Sequence, residues 1–181
     1  MNSVRHLKVV ALILAQILVA TECGVYDDTD KWIISGKALE FPNDAVLGGF
    51  DADGFDNYVG RVYYSSSSAV LPARVVPEKG YANYNTESVA NKIASYEVLV
   101  ANQTVSYHWV RSYDGYRERN AVCVGTNGYN DRVYVCRALT DNGLFIGTLF
   151  LADRRCYIRL ENMPLRTFDK YEMLVRKIKL A

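Results

Sequence analysis

The feature that most constrains this chain is an internal repeat. The stretch Ala45-Val46-Leu47-Gly48-Gly49-Phe50-Asp51-Ala52-Asp53-Gly54-Phe55-Asp56-Asn57-Tyr58-Val59-Gly60-Arg61 returns in weakened form, without a gap, as Ala121-Val122-Cys123-Val124-Gly125-Thr126-Asn127-Gly128-Tyr129-Asn130-Asp131-Arg132-Val133-Tyr134-Val135-Cys136-Arg137. A Trp precedes each copy (Trp32, Trp109), and a Tyr-Glu-x-Leu-Val segment closes each (Tyr96 to Val100, Tyr171 to Val175). Equivalent residues lie 75 to 77 positions apart. The chain therefore reads as two copies of one unit, 32–100 and a degenerate 107–175, and that period fixes the architecture before anything else does.

Each unit reads as strand. The segments 58–64, 70–76, 95–100, 105–110, 132–138, 144–151, 156–160 and 171–178 are rich in β-branched and aromatic residues. Turn signals separate them: Asp53-Gly54, the serine run 65–68, Lys79-Gly80, Asp114-Gly115, Asn127-Gly128 and Asn142-Gly143. Only 86–95 suits a helical turn. No Pro- or Gly-rich linker divides the copies; 98–109 is nearly continuous strand, broken at Asn102-Gln103-Thr104. The expectation is an all-β fold. Two pseudo-symmetric repeats form one compact β-sandwich-type body, with strands exchanged between them.

Charge excludes one class of partner. The formal net charge is +1, and no basic run gathers the field that nucleic acid binding needs. Tyr carries most of the aromatic content, with 14 in the chain; its apolar body and polar tip suit both strands and wet binding surfaces.

The N-terminus reads as a secretory signal over 1–23. Arg5, His6 and Lys8 precede a run, 9–20, that is apolar except for Gln16. That run is shorter than the roughly 20 residues a membrane span needs. No other stretch is long and apolar enough to span, so the mature chain is expected to be secreted, extracellular and without a membrane span. Cleavage falls after Ala20 or after Cys23. Secretion makes the cysteines candidates for disulfides. Cys123, Cys136 and Cys156 all lie in the second copy, opposite Leu47, Gly60 and approximately Tyr81 in the first. Cys123 pairs with Cys136, or Cys156 joins either; spacing does not choose. Nothing in it suggests zinc.

Both copies resemble the DM9 repeat, a domain of unknown function. The residues that carry the resemblance are Trp32, Ala45-Val46, Gly48-Gly49, Asp51, Asp53-Gly54, Tyr58-Val59-Gly60-Arg61, Leu71-Pro72-Ala73-Arg74-Val75-Val76-Pro77 and Tyr96-Glu97-Val98-Leu99. In the second copy they are Trp109, Ala121-Val122, Gly125, Tyr134-Val135, Arg137 and Tyr171-Glu172-Met173-Leu174. The resemblance implies a lectin-like recognition protein that binds mannose-type glycans and dimerises, with a role in innate immunity. It also implies the site. Sugar binding in such proteins is attributed to an acidic residue of the Gly-x-Asp stretch and to a lysine in the Leu-Pro-Gly/Ala-Lys pattern. Asp51 and Arg74 stand at those positions here, and Asp53 lies beside them.

The chemistry of that assignment is direct. A carboxylate accepts hydrogen bonds from vicinal hydroxyls and a cation donates to ring or hydroxyl oxygens. Arginine in place of lysine keeps the charge but changes the fork geometry. In the second copy Asp51 becomes Asn127, Asp53 becomes Tyr129 and Arg74 becomes approximately Thr148, so the first copy is expected to hold the site. Against this stands a plainer role, in which Asp51 and Asp53 only form a turn, Asp51 being an exposed residue whose loss leaves folding intact. If the sugar site has decayed, the alternative is a secreted protein-interaction or structural module. Arg61 with Glu97 and Arg137 with Glu172, kept in both copies, read as structural pairs.

Other chemistries are less well served. Asp51, Asp53 and Asp56 lack the remaining ligands of a calcium loop, so no metal and no cofactor is expected. His108, the one histidine after the signal, reads as a packed strand residue, and no nucleophile or phosphate motif is present. The chain is not expected to be an enzyme. Asn102 heads a glycosylation sequon.

Overall fold

The computed structural model describes residues 29–86, 90–160 and 164–179; the signal segment 1–23 lies outside them. The described chain is all-β. Its first half carries β1 (Lys31–Gly36), β2 (Leu47–Asp51), β3 (Asp56–Tyr64), β4 (Ala69–Val76), β5 (Tyr81–Asn85), β6 (Ala90–Ile93) and β7 (Ser95–Val100). Its second carries β8 (Val105–Tyr113), β9 (Cys123–Thr126), β10 (Arg132–Thr140), β11 (Gly143–Phe150), β12 (Arg155–Ile158), β13 (Arg166–Phe168) and β14 (Lys170–Ile178). One short 3₁₀ turn, Pro77–Lys79, follows β4. The segment 86–95 is not helical where it is described: it supplies β6 and the start of β7, because Ala82, Asn83, Tyr84 and Asn85 on β5 offer a pairing edge to 90–93.

Every ladder is antiparallel, and each ladder of the first half has a counterpart in the second. β1–β7 corresponds to β8–β14, β3–β7 to β10–β14, and β3–β4 to β10–β11. β2–β3 corresponds to β9–β10, each with a register shift, and β4–β5–β6 to β11–β12–β13. The isolated bridges Ala45 to Val100 and Ala121 to Val175 match in the same way. First and last strands of each half pair with each other, so among the described residues exchange between halves is confined to one short ladder, β2–β11, where Asp51 and Phe50 meet Gly143 and Leu144. That ladder joins all strands into one hydrogen-bonded network.

Two glycines make the junction between halves close. A Cβ at Gly49 would collide with the carbonyl of Leu144, and a Cβ at Gly125 with the side chain of Val70. Register makes these contacts equivalent: Val70 pairs with Tyr63 as Leu144 pairs with Leu139. Only glycine permits backbones to approach this far.

The main core draws on both halves, with Val59, Leu71, Val75, Val98 and Leu99 packed in one cluster with Val122, Val133, Val135, Ile146 and Leu174. A second cluster belongs to the second half alone and surrounds the Cys136–Cys156 disulfide with Tyr134, Leu149, Ile158 and Met173. Cys123 is disulfide-bonded as well, and no cysteine among the described residues is free. Cys156 lies opposite Leu149 as Ala82 lies opposite Val75, so its first-half equivalent is Ala82 rather than Tyr81.

Arg61 and Arg137 occupy equivalent places. Arg61 lies across the strand from Glu97 and donates to its carboxylate at 2.5 Å, with its guanidinium 4.6 Å from the centre of the Trp32 ring. Arg137 lies across from Glu172, donates at 2.7 Å, and sits 4.2 Å from the Trp109 ring centre. Trp, Arg and Glu thus form one stacked, ion-paired unit in each half. Desolvation is offset by the carboxylate and the ring face together. Burial lowers the pKa of Arg137, and the hydrogen bond and charge of Glu172 oppose it.

Candidate functional site

β2 ends at Asp51, and the chain turns through 52–55 into β3. The Asp51 carboxylate organises that turn. Its Oδ1 accepts the backbone N–H groups of Asp53 at 3.1 Å and Phe55 at 3.0 Å, while its Oδ2 accepts the Lys79 ammonium at 2.9 Å. The residue is only 7 % exposed. The expectation of an exposed turn aspartate is therefore corrected: the 3₁₀ turn after β4 carries Lys79 over the carboxylate and covers it. Burial pushes the Asp51 carboxyl upward. The Lys79 hydrogen bond and charge and the two backbone donors outweigh it, leaving the carboxyl below its ordinary value.

The neighbours of Lys79 are more open. The Asp53 side chain is 74 % exposed, with its carboxylate 4.0 Å from the same ammonium. The Lys79 ammonium also stands 5.1 Å from the centre of the Phe55 ring. A carboxylate, a cation and an aromatic face thus share one rim.

Arg74 projects from β4, half-buried, between Val59 and Asn83 in the ladders. It donates to Asn57 Oδ1 at 3.4 Å, and its guanidinium lies 5.0 Å from the centre of the Phe145 ring. Phe145 belongs to β11, so Arg74 sits at the junction of the halves. Burial lowers its pKa, and the negative charge of Asp51 acts against that. Of the three residues expected at the site, Asp51 and Asp53 meet at Lys79, and Arg74 lies behind them on direct partners of its own.

The second half repeats this framework. Asn127 Oδ1 accepts the N–H groups of Tyr129 and Asp131, each at 2.9 Å, as Asp51 does for residues 53 and 55. Gly54 and Asn130 both take positive φ, at 84° and 64°. The loop-forming role of position 51 is thus shared by both halves, and what differs is the bridge. Counting along matched strands, Lys79 corresponds to Asp153, and Gly80 and Arg154, next in line, share a positive φ of 68° and 58°. Asp153 accepts the Tyr157 hydroxyl at 3.0 Å instead. A cleft of about 690 Å³ lies here, lined by Asn127, Asp131 and Asp153 with Tyr129 at its edge. Thr148, opposite Val135 as Arg74 is opposite Val59, is fully buried.

Lys79, Phe55 and Asn57 are the site residues that sequence reasoning missed. Glu78-Lys79-Gly80 registers in sequence only as a turn, and its lysine gains meaning only once that turn lies over Asp51. Asn102 caps the connection between halves: its Oδ1 accepts from Thr104 N–H, Thr104 Oγ1 and Val105 N–H at 2.8, 2.9 and 2.7 Å. His108 is exposed rather than packed, with Nε2 3.2 Å from Ser106 Oγ, because its strand neighbours Tyr107 and Trp109 take the core-facing side of β8 and alternation turns His108 to the other. Among the described residues no three His, Cys, Asp or Glu side chains gather as a cation site, and no helix is long and apolar enough to cross a membrane.

An all-β chain of matched antiparallel halves, with loop-borne polar side chains at one rim, is the class the geometry defines. The DM9 repeat profile matches residues 51–167, well over half of the sequence. The chain belongs to the DM9 repeat family. Among solved structures it is similar to the nematode sperm cell motility protein MFP2B, with a TM-score of 0.60 at 15% identity over 83% of this chain. It spans 47% of that protein, about half its length, and the likeness is one of fold. No curated protein matches the sequence.

Proposed function

We propose that the chain is a secreted carbohydrate-binding recognition protein of two tandem DM9 repeats, 32–100 and 107–175, that takes mannose-type glycans on the first and acts by binding rather than by catalysis. The observation that carries the reading is the Asp53–Lys79–Phe55 rim. An exposed carboxylate accepts from vicinal hydroxyls, an ammonium donates to hydroxyl oxygens, and a ring receives the apolar face of a sugar. Asp51 holds that rim in shape, and Arg74 supplies positive charge behind it. A role in innate immunity rests on the family resemblance alone.

Secretion is supported by the Cys136–Cys156 bridge, since such bonds persist in oxidising compartments. There Asn102, on an exposed connection, carries an N-linked glycan, and the mature protein assembles as a homodimer. Secretion from cultured cells, with a shift in mass on deglycosylation that Asn102→Gln abolishes, tests the first two. Light scattering tests the third.

A second reading has its own observation. The buried Asp51 carboxylate is already satisfied by Lys79 and two backbone donors, which favours a protein-interaction or structural module with a decayed sugar site. A glycan array on the mature protein separates the two. Retention on mannose-type glycans supports the first reading, and an empty array transfers the case to the second.

A further inference from the structure

Strands β2, β11, β10, β14 and β8 lie side by side in that order, and their register gathers a second set of side chains on one face. Phe50 pairs with Leu144, and Leu144 with Leu139. Arg137 pairs with Glu172, and Glu172 with Arg111. Lys170 pairs with Tyr113. Alternation along each strand keeps 137 with 139, 170 with 172 and 111 with 113. These residues line an open cleft of about 720 Å³, within the range of small-ligand sites, about 300–1,000 Å³.

The floor of the cleft is apolar yet wet: Leu139 is 70 % exposed, and Phe50 and Tyr113 are exposed as well. Its rim is cationic. Arg137 is committed to Glu172 and to the Gly48 carbonyl, while Arg111 and Lys170 stand exposed. Three cations against one carboxylate leave an excess of positive charge over an apolar surface.

The fold does not require this. On the equivalent face of the first half, the registers place Ile34 where Arg111 stands, Gly36 where Tyr113 stands and Ser95 where Lys170 stands. Both cations and the aromatic belong to the second half alone, although the Trp–Arg–Glu unit beside them is common to both.

We propose that this cleft binds a free lipid-like carboxylate, its acyl chain on Phe50, Leu139 and Leu144 and its carboxylate between Arg111 and Lys170. The concave shape and the diagonal register of the two cations, Lys170 lying two residues before the Glu172 that faces Arg111, fit a single small anion better than a membrane surface or a protein segment.

The test is titration of the full mature chain with decanoate and, separately, with decyltrimethylammonium, both below their micelle concentrations. The Arg111→Gln/Lys170→Ser double variant and Leu139→Ser are titrated alongside. Decanoate should bind wild type at least tenfold more tightly than the cationic amphiphile. The double variant should lose roughly tenfold or more of that affinity with an unchanged melting temperature, since both residues are exposed. Leu139→Ser should weaken both amphiphiles. Equal binding of the two amphiphiles, indifference to the double variant, or no binding of decanoate to wild type would overturn the proposal.

Discussion

The Lys79 ammonium lies 2.9 Å from Asp51 Oδ2, so the carboxylate that closes β2 is clamped from within the protein. With Oδ1 already holding two backbone donors, Asp51 acts first as the residue that shapes the loop. Asp51→Ala should cost about 2–3 kcal/mol, since it strips two partly buried loop hydrogen bonds and a cation of their shared acceptor. Asp51→Asn should cost less, because Asn127 holds the same pair of N–H groups in the second half. Urea unfolding of both variants checks this. Equal stability of Asp51→Ala and wild type would show that the loop shapes itself.

The same clamp makes stability depend on acid. The folded Asp51 carboxyl lies below its ordinary value of 3.8, so on acidification the unfolded chain takes up this proton first. The contribution is whole above that ordinary value and is lost as pH falls through the folded one. Melting curves should show wild type losing more stability than Asp51→Asn between about pH 5 and pH 2. Parallel profiles would remove Asp51 from the account of acid sensitivity.

Arg137 does more than its counterpart Arg61. Besides Glu172 it donates to the Gly48 carbonyl at 2.9 Å, across the junction of the halves. Arg137→Ala should destabilise by about 2 kcal/mol, since it removes the charge-assisted hydrogen bond to Glu172 and the stacking on Trp109. It should exceed Arg61→Ala by about 1 kcal/mol, the net worth of the extra hydrogen bond. Denaturant midpoints of the two variants decide it, and an equal or reversed order would contradict the asymmetry.

The Cys136–Cys156 bond spans a sequence separation of 20. Replacing both cysteines with alanine should cost about 3 kcal/mol on a loop-closure argument. Tyr134, Leu149 and Met173, packed around the bond, should lose amide protection first. Hydrogen exchange on the variant reads this directly, and uniform loss across both halves would contradict a local role.

The repeat was legible because Trp32, Arg61 and Glu97 recur as Trp109, Arg137 and Glu172, and that unit needs all three residues. Longer strands with β-branched or aromatic runs were legible too, whereas β1, with the short run Trp32-Ile33-Ile34 ahead of Ser35-Gly36, was not. β2 was not, because Gly48 and Gly49 are chosen for close approach rather than for strand preference. Nor was β5, whose asparagines resemble turn chemistry. The disulfide could not be chosen from spacing: Cys136 and Cys156 sit on β10 and β12, both paired to β11, and meet only because β12 folds back toward β10. The turn after β3, 65–68, is two residues longer than the one after β10, 141–142. That difference moves the period from 76 to 74 and so fixes Arg74 opposite Thr148 and Lys79 opposite Asp153. The pairing of Lys79 with Asp51 bridges 28 positions and exists only once two loops are stacked, which no local pattern encodes.

Calorimetric titration of a mannose-type glycan against wild type, Asp53→Ala and Tyr129→Ala tests the central claim most directly. Asp53 and Tyr129 are equivalent, strongly exposed loop residues, at 74 % for the Asp53 side chain and 83 % for Tyr129, so neither change should disturb folding. Wild type should bind, Asp53→Ala should lose roughly tenfold to a hundredfold in affinity with its charge-assisted hydrogen bonds, and Tyr129→Ala should bind as wild type does. Loss of binding in Tyr129→Ala with retention in Asp53→Ala would place the site in the second half, and no binding by wild type would contradict the glycan reading altogether.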